Sequence, residues 1–549
     1  METNKTNLPA SGLAGLKENF KNDALSGFLV FLIALPLCLA ISKASGFPPV
    51  AGILTAIIGG VLVSFLGGSA LTIKGPAAGL IVIAIGAVDE LGKGDPMLGY
   101  KLTLGVVVIA GIIQIVFGLL RSGVLGDFFP SAAIHGMMAA IGITIILKQI
   151  FNLTGVKPEG KEAFELIAEI PRAFANLNPE IFIIGVVSLL ILFLFPLVKN
   201  KTFKKIPAPL VVLLVAIPLG RYFDLGHEHT YLFLDHHNYT IGPKFLVELP
   251  KNLMSAITFP DFSQITSGIS IKYIVMFALV GSLESLLSTK AVDMLDPYKR
   301  KSNMNRDLIG IGIGNTLAGL IGGLPMISEI VRSSANVNNG AQTKWANFFH
   351  GLFLLLFVAF AGAVITQIPL AALAAMLIYT GFRLASPKEF AHTYHKGTEQ
   401  LFIFLVTIGF TLGTDLLVGI AAGIITKLII HLLNGLPLRS VFKPMVEVRK
   451  HDHEEFYNVY VTDAVVFSNY INFKKYLDVL PRQKHIVVDF SEARLVDHTV
   501  MEHLHHYQND YIAQGGKFEV VGLERHKAVS SHPLAARKLN SKSQPSVSL

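Results

Sequence analysis

Charge is what this sequence lacks most. Only 15% of its 549 residues are Asp, Glu, Lys or Arg, and 52% are hydrophobic. Soluble domains carry about 25% charged residues. A soluble protein so short of charge could not cover its surface. Cysteine is nearly missing too. Cys38 stands alone, which excludes a disulfide framework and leaves the redox compartment unread. The opening stretch, Met1 to Asp23, is polar and mixed in charge. It lacks the short apolar core and small-residue cleavage site of a secretory signal. The first apolar run is therefore expected to act as its own insertion signal.

What the chain has instead is a succession of apolar runs. Ala24 to Ile41, Val50 to Leu66 and Ile181 to Val198 contain no Asp, Glu, Lys or Arg. Each is close to the ~20 residues that a helix needs to cross ~30 Å of hydrocarbon. One such run would fit a buried core helix; about a dozen do not. Spans are expected near 24–43, 47–66, 75–90, 101–121, 130–150, 180–198 and 207–221. They resume near 270–292, 306–323, 326–338, 345–365, 369–384 and 400–433, the last broken in two near Gly413 and Asp415. The fold class is thus an all-α polytopic membrane protein of about 14 spans.

Charge placement orients it. Lys199, Lys201, Lys204 and Lys205 crowd one short loop, and Lys299, Arg300, Lys301 and Arg306 another. Positive loops stay in the cytoplasm. The less basic segments 152–180 and 221–270 are then outside. Basic residues that flank apolar spans do not describe a nucleic-acid surface. The partner surface is a lipid bilayer, and the expected setting is a bacterial inner membrane.

Two expected spans are short and open on Gly/Pro breaks: Lys74-Gly75-Pro76-Ala77-Ala78-Gly79 and Gly322-Gly323-Leu324-Pro325-Met326-Ile327-Ser328. Each is the third span of its half. Interrupted segments at matching positions point to an inverted repeat with a midplane site. A helix that starts inside the membrane leaves N–H groups open and carries about half a positive charge there. Two such ends would hold an anion. The expected donors lie near Ala77 to Gly79 and near Ile327 to Glu329, with Pro76 and Pro325 in the first helical turns.

Few charged residues sit at membrane depth. Arg332 can supply net positive charge to an anion; its bland alternative is a structural arginine paired to Glu329. Lys74 fits an interface position or an attraction to the anion. Glu284, with Ser285 and Ser288 close by, offers what a coupling proton or sodium ion needs. The substrate-binding set is therefore Gly75, Pro76, Ala77, Ala78, Ile327, Ser328, Glu329 and Arg332. The ion-coupling pair is Glu284 and Ser288. No metal centre and no cofactor is expected beyond sodium as a coupling ion.

These motifs resemble the SulP family of inorganic anion transporters along nearly the whole chain. Ala34-Leu35-Pro36-Leu37-Cys38-Leu39-Ala40 is similar to the family's opening span, and Gly75-Pro76 to its third. Glu284-Ser285-Leu286-Leu287-Ser288 with Asp293 is similar to the eighth. Asn315, Gly323, Pro325, Arg332-Ser333-Ser334-Ala335-Asn336, Gly340-Ala341 and Thr343 are similar to the ninth and tenth. The resemblance implies a seven-plus-seven inverted repeat. A core (24–121 and 270–365) would carry the anion against a gate (128–221 and 366–434) in an elevator-like step, within a homodimer. Leu37 replaces a frequent Gln, and Ile327, Ser328 and Glu329 replace small residues. Among the family's substrates, bicarbonate or sulfate is favoured, driven by sodium or protons.

Residues 445–540 read as a small cytoplasmic α/β domain, and the Ser-rich stretch 541–549 as a disordered tail. Ile486-Val487-Val488-Asp489-Phe490 with Val496-Asp497-His498-Thr499 resembles a STAS domain. Thr499 falls at the phosphorylatable position of soluble relatives, but His498 and Val500 replace the usual Ser and Gly. The resemblance implies regulation or dimer contacts there. The competing functions are a nucleobase-type permease, a passive anion channel, and a membrane-tethered STAS scaffold. No nucleophile–base arrangement suggests an enzyme.

Overall fold

Apolar runs in hydrocarbon must close their own backbone hydrogen bonds, and helices do so within one segment. The computed structural model describes residues 8–160, 162–198, 206–233, 237–249, 254–450, 456–481 and 483–540. The loop of Lys199, Lys201, Lys204 and Lys205 and the tail 541–549 lie outside the described residues. Among the described residues, eight helices are long and apolar enough to cross a membrane. Three shorter apolar helices are Pro49–Val61, Ala208–Tyr222 and Thr398–Gly413. With Met304–Ile321 and two broken segments they complete the seven-plus-seven order. Apolar side chains such as Leu119, Leu214 and Phe360 stand exposed along these helices, as a lipid-facing surface requires.

Local chemistry sets the helix ends. Pro96–Leu119 begins where Asp95 accepts from the N–H groups of Met97 and Leu98, with Pro96 in the first turn. The 400–433 stretch does divide, into Thr398–Gly413 and Leu416–Leu433. Asp415 caps the second part by accepting from the Val418 N–H at 2.9 Å. Gly322, at φ 95°, ends Met304–Ile321 in the left-handed region.

Some elements differ from expectation. The first helix runs Gly12–Ala44, so its polar beginning is helical as well. Asp23, buried, accepts from the N–H groups of Gln342 (2.7 Å) and Thr343 (3.1 Å) just before the helix Trp345–Ile365. Helices Ala163–Ala175 and Pro387–Lys396 and the hairpin His229–Leu232/Asn238–Ile241 were not expected.

By packing, the chain forms two compact units: Met1–Gly123 with Ile141–Leu384, and Val124–Ala140 with Ala385–Leu549. In the first, both broken segments meet the helix Gly268–Leu295. In the second, a sheet orders Met445–Lys450, Phe456–Val465, His485–Val496, Arg537–Leu539 and His526–Ala528, with Lys517–Val521 parallel to His485–Val496. Ile486, Val488 and Phe490 alternate into one core with Val459, Phe473 and Phe518. This is the expected STAS-like α/β domain. The helix His498–Ala513 follows, capped by Asp497, whose Oδ1 accepts from the Val500 N–H at 2.7 Å.

Candidate functional site

The two broken segments open as strands. Ile73–Pro76 and Met326–Glu329 pair antiparallel, with Ile73 opposite Glu329, Lys74 opposite Ser328, Gly75 opposite Ile327 and Pro76 opposite Met326. The first half-helix starts through a tight turn at Ala78–Leu80 and runs on as Ile81–Gly92. The second is Ile330–Asn338, with Glu329 at its N-cap. The expectation for the prolines is therefore corrected. Pro76 ends a strand and Pro325 precedes one; neither opens a helix. The N–H groups of Ile327 to Glu329 belong to a strand, and the second helix N-terminus lies three residues later than expected. The physical reason is backbone satisfaction. A two-stranded ladder closes hydrogen bonds that two bare helix ends would leave open in hydrocarbon, and its edges tolerate proline.

Arg332 lies in the first turn of the second half-helix and is 1% exposed. Its Nη2 donates to the Pro76 carbonyl at 3.4 Å. Its Nε and Nη1 find no hydrogen-bond partner among the described residues. The Cys38 thiol and the Glu329 carboxylate lie beside it. Glu329 also accepts from the Ala78 N–H. At Gly75 a Cβ would meet Arg332 Nη1, so a larger residue there would push the guanidinium aside. At Gly79 a Cβ would strike both oxygens of the Glu284 carboxylate. Glu284, from Gly268–Leu295, thus rests on the first turn of the first half-helix.

Gly75, Pro76, Ala77, Ala78, Glu329, Arg332 and Glu284 therefore converge. Ser288 sits one helical turn beyond Glu284 and is half-buried. Ser328 faces elsewhere: its hydroxyl donates to Asp307 Oδ2 at 3.0 Å and accepts from Lys74 Nζ at 2.9 Å. Lys74 is not at an interface. It is 2% exposed and ion-paired to Asp307 at 2.9 Å. Sequence reasoning missed Asp307; the available signal was a lone acid opening a Gly-rich helix. It also missed His350, which is fully buried, feels the charge of Arg332, and has no hydrogen-bond partner on either ring nitrogen among the described residues.

Chemically, the cluster pairs an unfilled guanidinium with a helix N-terminus and two carboxylates. The first two attract an anion. The carboxylates can oppose it or carry a proton or a cation in with it.

Thr499 lies in the second unit, fully buried. Its hydroxyl accepts from Lys427 Nζ at 2.9 Å. Lys427 and His431, both on Leu416–Leu433, stand 3.3 and 3.6 Å from Asp497. Burial would raise the Asp497 carboxyl, but the charges of Lys427 and His431 and two backbone N–H groups hold it below its usual range. Glu502 is similar. Burial opposes its charge, yet the Lys396 ammonium at 3.7 Å and the Ser131 hydroxyl at 2.7 Å hold it at about 2.

A family profile described as "Sulfate permease family" matches residues 20–407. The putative sulfate transporter YvdB of Bacillus subtilis (strain 168) is 27% identical over 516 residues, covering 92% of each chain. The bicarbonate transporter BicA of Picosynechococcus sp. is 24% identical, covering 74% of this chain and 69% of its own. Among solved structures, the transmembrane domain of a cyanobacterial BicA matches with a TM-score of 0.62 at 25% identity, over 73% of this chain and 97% of that one. SLC26A9 matches in fold with a TM-score of 0.67 at 15% identity, over 92% and 85% of the two chains.

Proposed function

The chain belongs to the sulfate permease family, and on that premise we propose that it is a secondary active transporter of a small inorganic anion, with bicarbonate or sulfate as substrate. It is a transporter and not an enzyme. One observation supports the anion site above others: Arg332 is buried while its Nε and Nη1 have no hydrogen-bond acceptor among the described residues. A buried charge left so is costly, and an anion from outside the chain would satisfy it. The first half-helix, which starts at Ala78, adds the positive field of its N-terminus.

Glu284 and Ser288 would bind the coupling sodium ion or proton. Two carboxylates, Glu284 and Glu329, close to one anion site favour neutralisation by a cation as the anion enters. Alternating access would follow an elevator-like movement of the core against the gate, in a dimer held in a bacterial inner membrane.

The test is counterflow in proteoliposomes with labelled sulfate, bicarbonate and fumarate, with and without a sodium gradient, for the wild type, Arg332→Ala and Glu284→Gln. The reading expects exchange of one of the first two anions and its loss in both variants. Unchanged uptake in both variants would sink the site assignment. Sodium-independent exchange that follows a proton gradient would select protons.

A further inference from the structure

The ammonium of Lys74 has an unusually complete set of oxygen neighbours. It donates to Asp307 Oδ1 at 2.9 Å, to Ser328 Oγ at 2.9 Å and to Thr72 Oγ1. These three acceptors match the three donors of an ammonium group. Ser328 and Thr289 spend their hydroxyl hydrogens on Asp307 Oδ2, each at 3.0 Å. Ser285 donates to Ser328 at 3.2 Å, and the Gly68 N–H donates to Asp307 Oδ1 at 3.1 Å. Thr72, Thr289, Asp307 and Ser328 are all buried.

Such a shell of carboxylate and hydroxyl oxygens is the coordination that hard cations take. Its place in the fold matters as much as its chemistry. Lys74 lies in one of the two short strands and Ser328, its register partner, in the other. The cation thus joins the entrances of both half-helices to the helices that carry Thr289 and Asp307. We propose that Thr72, Asp307 and Ser328, with Thr289 holding the Asp307 carboxylate, form a monovalent-cation site that the Lys74 ammonium fills permanently. The chain carries its own cation at the strand crossing, and this junction holds without one from solution. This inference stands apart from the anion reading, because its test reads stability rather than transport.

A cavity of about 270 Å³ lies near the site, bounded by Gly68, Ser69, Asp293, Asp296, Arg300 and Lys344. It reaches Gly68, the residue whose N–H touches Asp307.

Lys74→Ala should uncover the site. The full-length variant is purified in choline chloride and melted after addition of sodium, potassium or ammonium chloride at equal ionic strength. At least one of these cations should raise its midpoint by several degrees, saturably, relative to choline. Lys74→Ala/Asp307→Asn should lack that rise, which separates this site from any other sodium site in the protein. Equal responses in the single and double variants overturn the proposal, as does no response in the single variant. If Lys74→Ala folds only when one of these cations is present throughout purification, the proposal stands. Loss of folded Lys74→Ala under all four salts overturns it as well.

Discussion

At the scale of single residues, Arg332 brings the buried positive charge of the site. A guanidinium with two nitrogens that find no acceptor among the described residues is poorly placed for stability, since a buried donor without a partner costs ~1–3 kcal/mol. Arg332→Ala should therefore abolish anion uptake while leaving the melting midpoint unchanged or higher. Arg332→Lys should also be inactive, because an ammonium cannot present the same planar fork. Uptake and thermal melts on the same preparations check both, and an active but destabilised Arg332→Ala contradicts them. Gly79→Ala drives a methyl into the Glu284 carboxylate. Overpacking of that kind costs ~1–3 kcal/mol and displaces Glu284, so both stability and uptake should fall. Arg332 and Glu284 were legible in the sequence because an isolated charge in an apolar run is conspicuous. The partner of Lys74 was not, since Asp307 lies 233 residues along the chain. Lys74 beside a break reads equally well as an interface residue.

Among elements, the strength of the local signal decided what could be read. The break before Leu416 was legible because Gly413 and Asp415 interrupt a long apolar run. Residues 345–365 were bounded by their own apolar pattern, and the helix there is Trp345–Ile365. The strands Ile73–Pro76 and Met326–Glu329 were hidden. Four residues carry no usable periodicity, and Gly-Pro fits a strand end as well as a helix start. Their pairing is a long-range fact that only the folded chain displays. Helices Ala163–Ala175 and Pro387–Lys396 were hidden for another reason: they are too polar on one face to register as spans. Caps give a direct check at this scale. Removing the Asp95 side chain leaves the Met97 and Leu98 N–H groups open at the start of Pro96–Leu119. Asp95→Ala should lower stability by ~1 kcal/mol, visible as a lower melting midpoint with anion exchange retained. An unchanged midpoint would show that water satisfies those groups equally well.

For the whole molecule, acid should act on the second unit. Burial holds the His498 imidazole at about 4, against an ordinary 6.5. Its Nδ1 lies 2.6 Å from the Leu534 carbonyl. The unfolded chain therefore takes up this proton first as pH falls below 6.5, and stability declines between 6.5 and about 4. The loss should reach roughly 2 kcal/mol by about pH 5. Glu502, held at about 2 against 4.5, contributes stability above 4.5 that disappears as pH drops towards 2. Thermal melts of the full-length protein at neutral and mildly acid pH should show a larger drop for the wild type than for His498→Gln. Parallel drops would exclude His498 as the source.

The contact between Lys427 and Asp497 also bears on how the protein is made. Lys427 enters the bilayer on the last apolar helix, yet the carboxylate and hydroxyl that receive it belong to a sequence not yet translated. Thr499 follows it by 72 residues. Until the ribosome has delivered and folded that segment, the nascent helix holds a cation without its counterpart. Full burial of the Lys427 ammonium should therefore wait for the C-terminal domain. A chain truncated after Leu433 would leave quality-control proteases a permanently unfinished helix, and replacing Lys427 by Met should spare it.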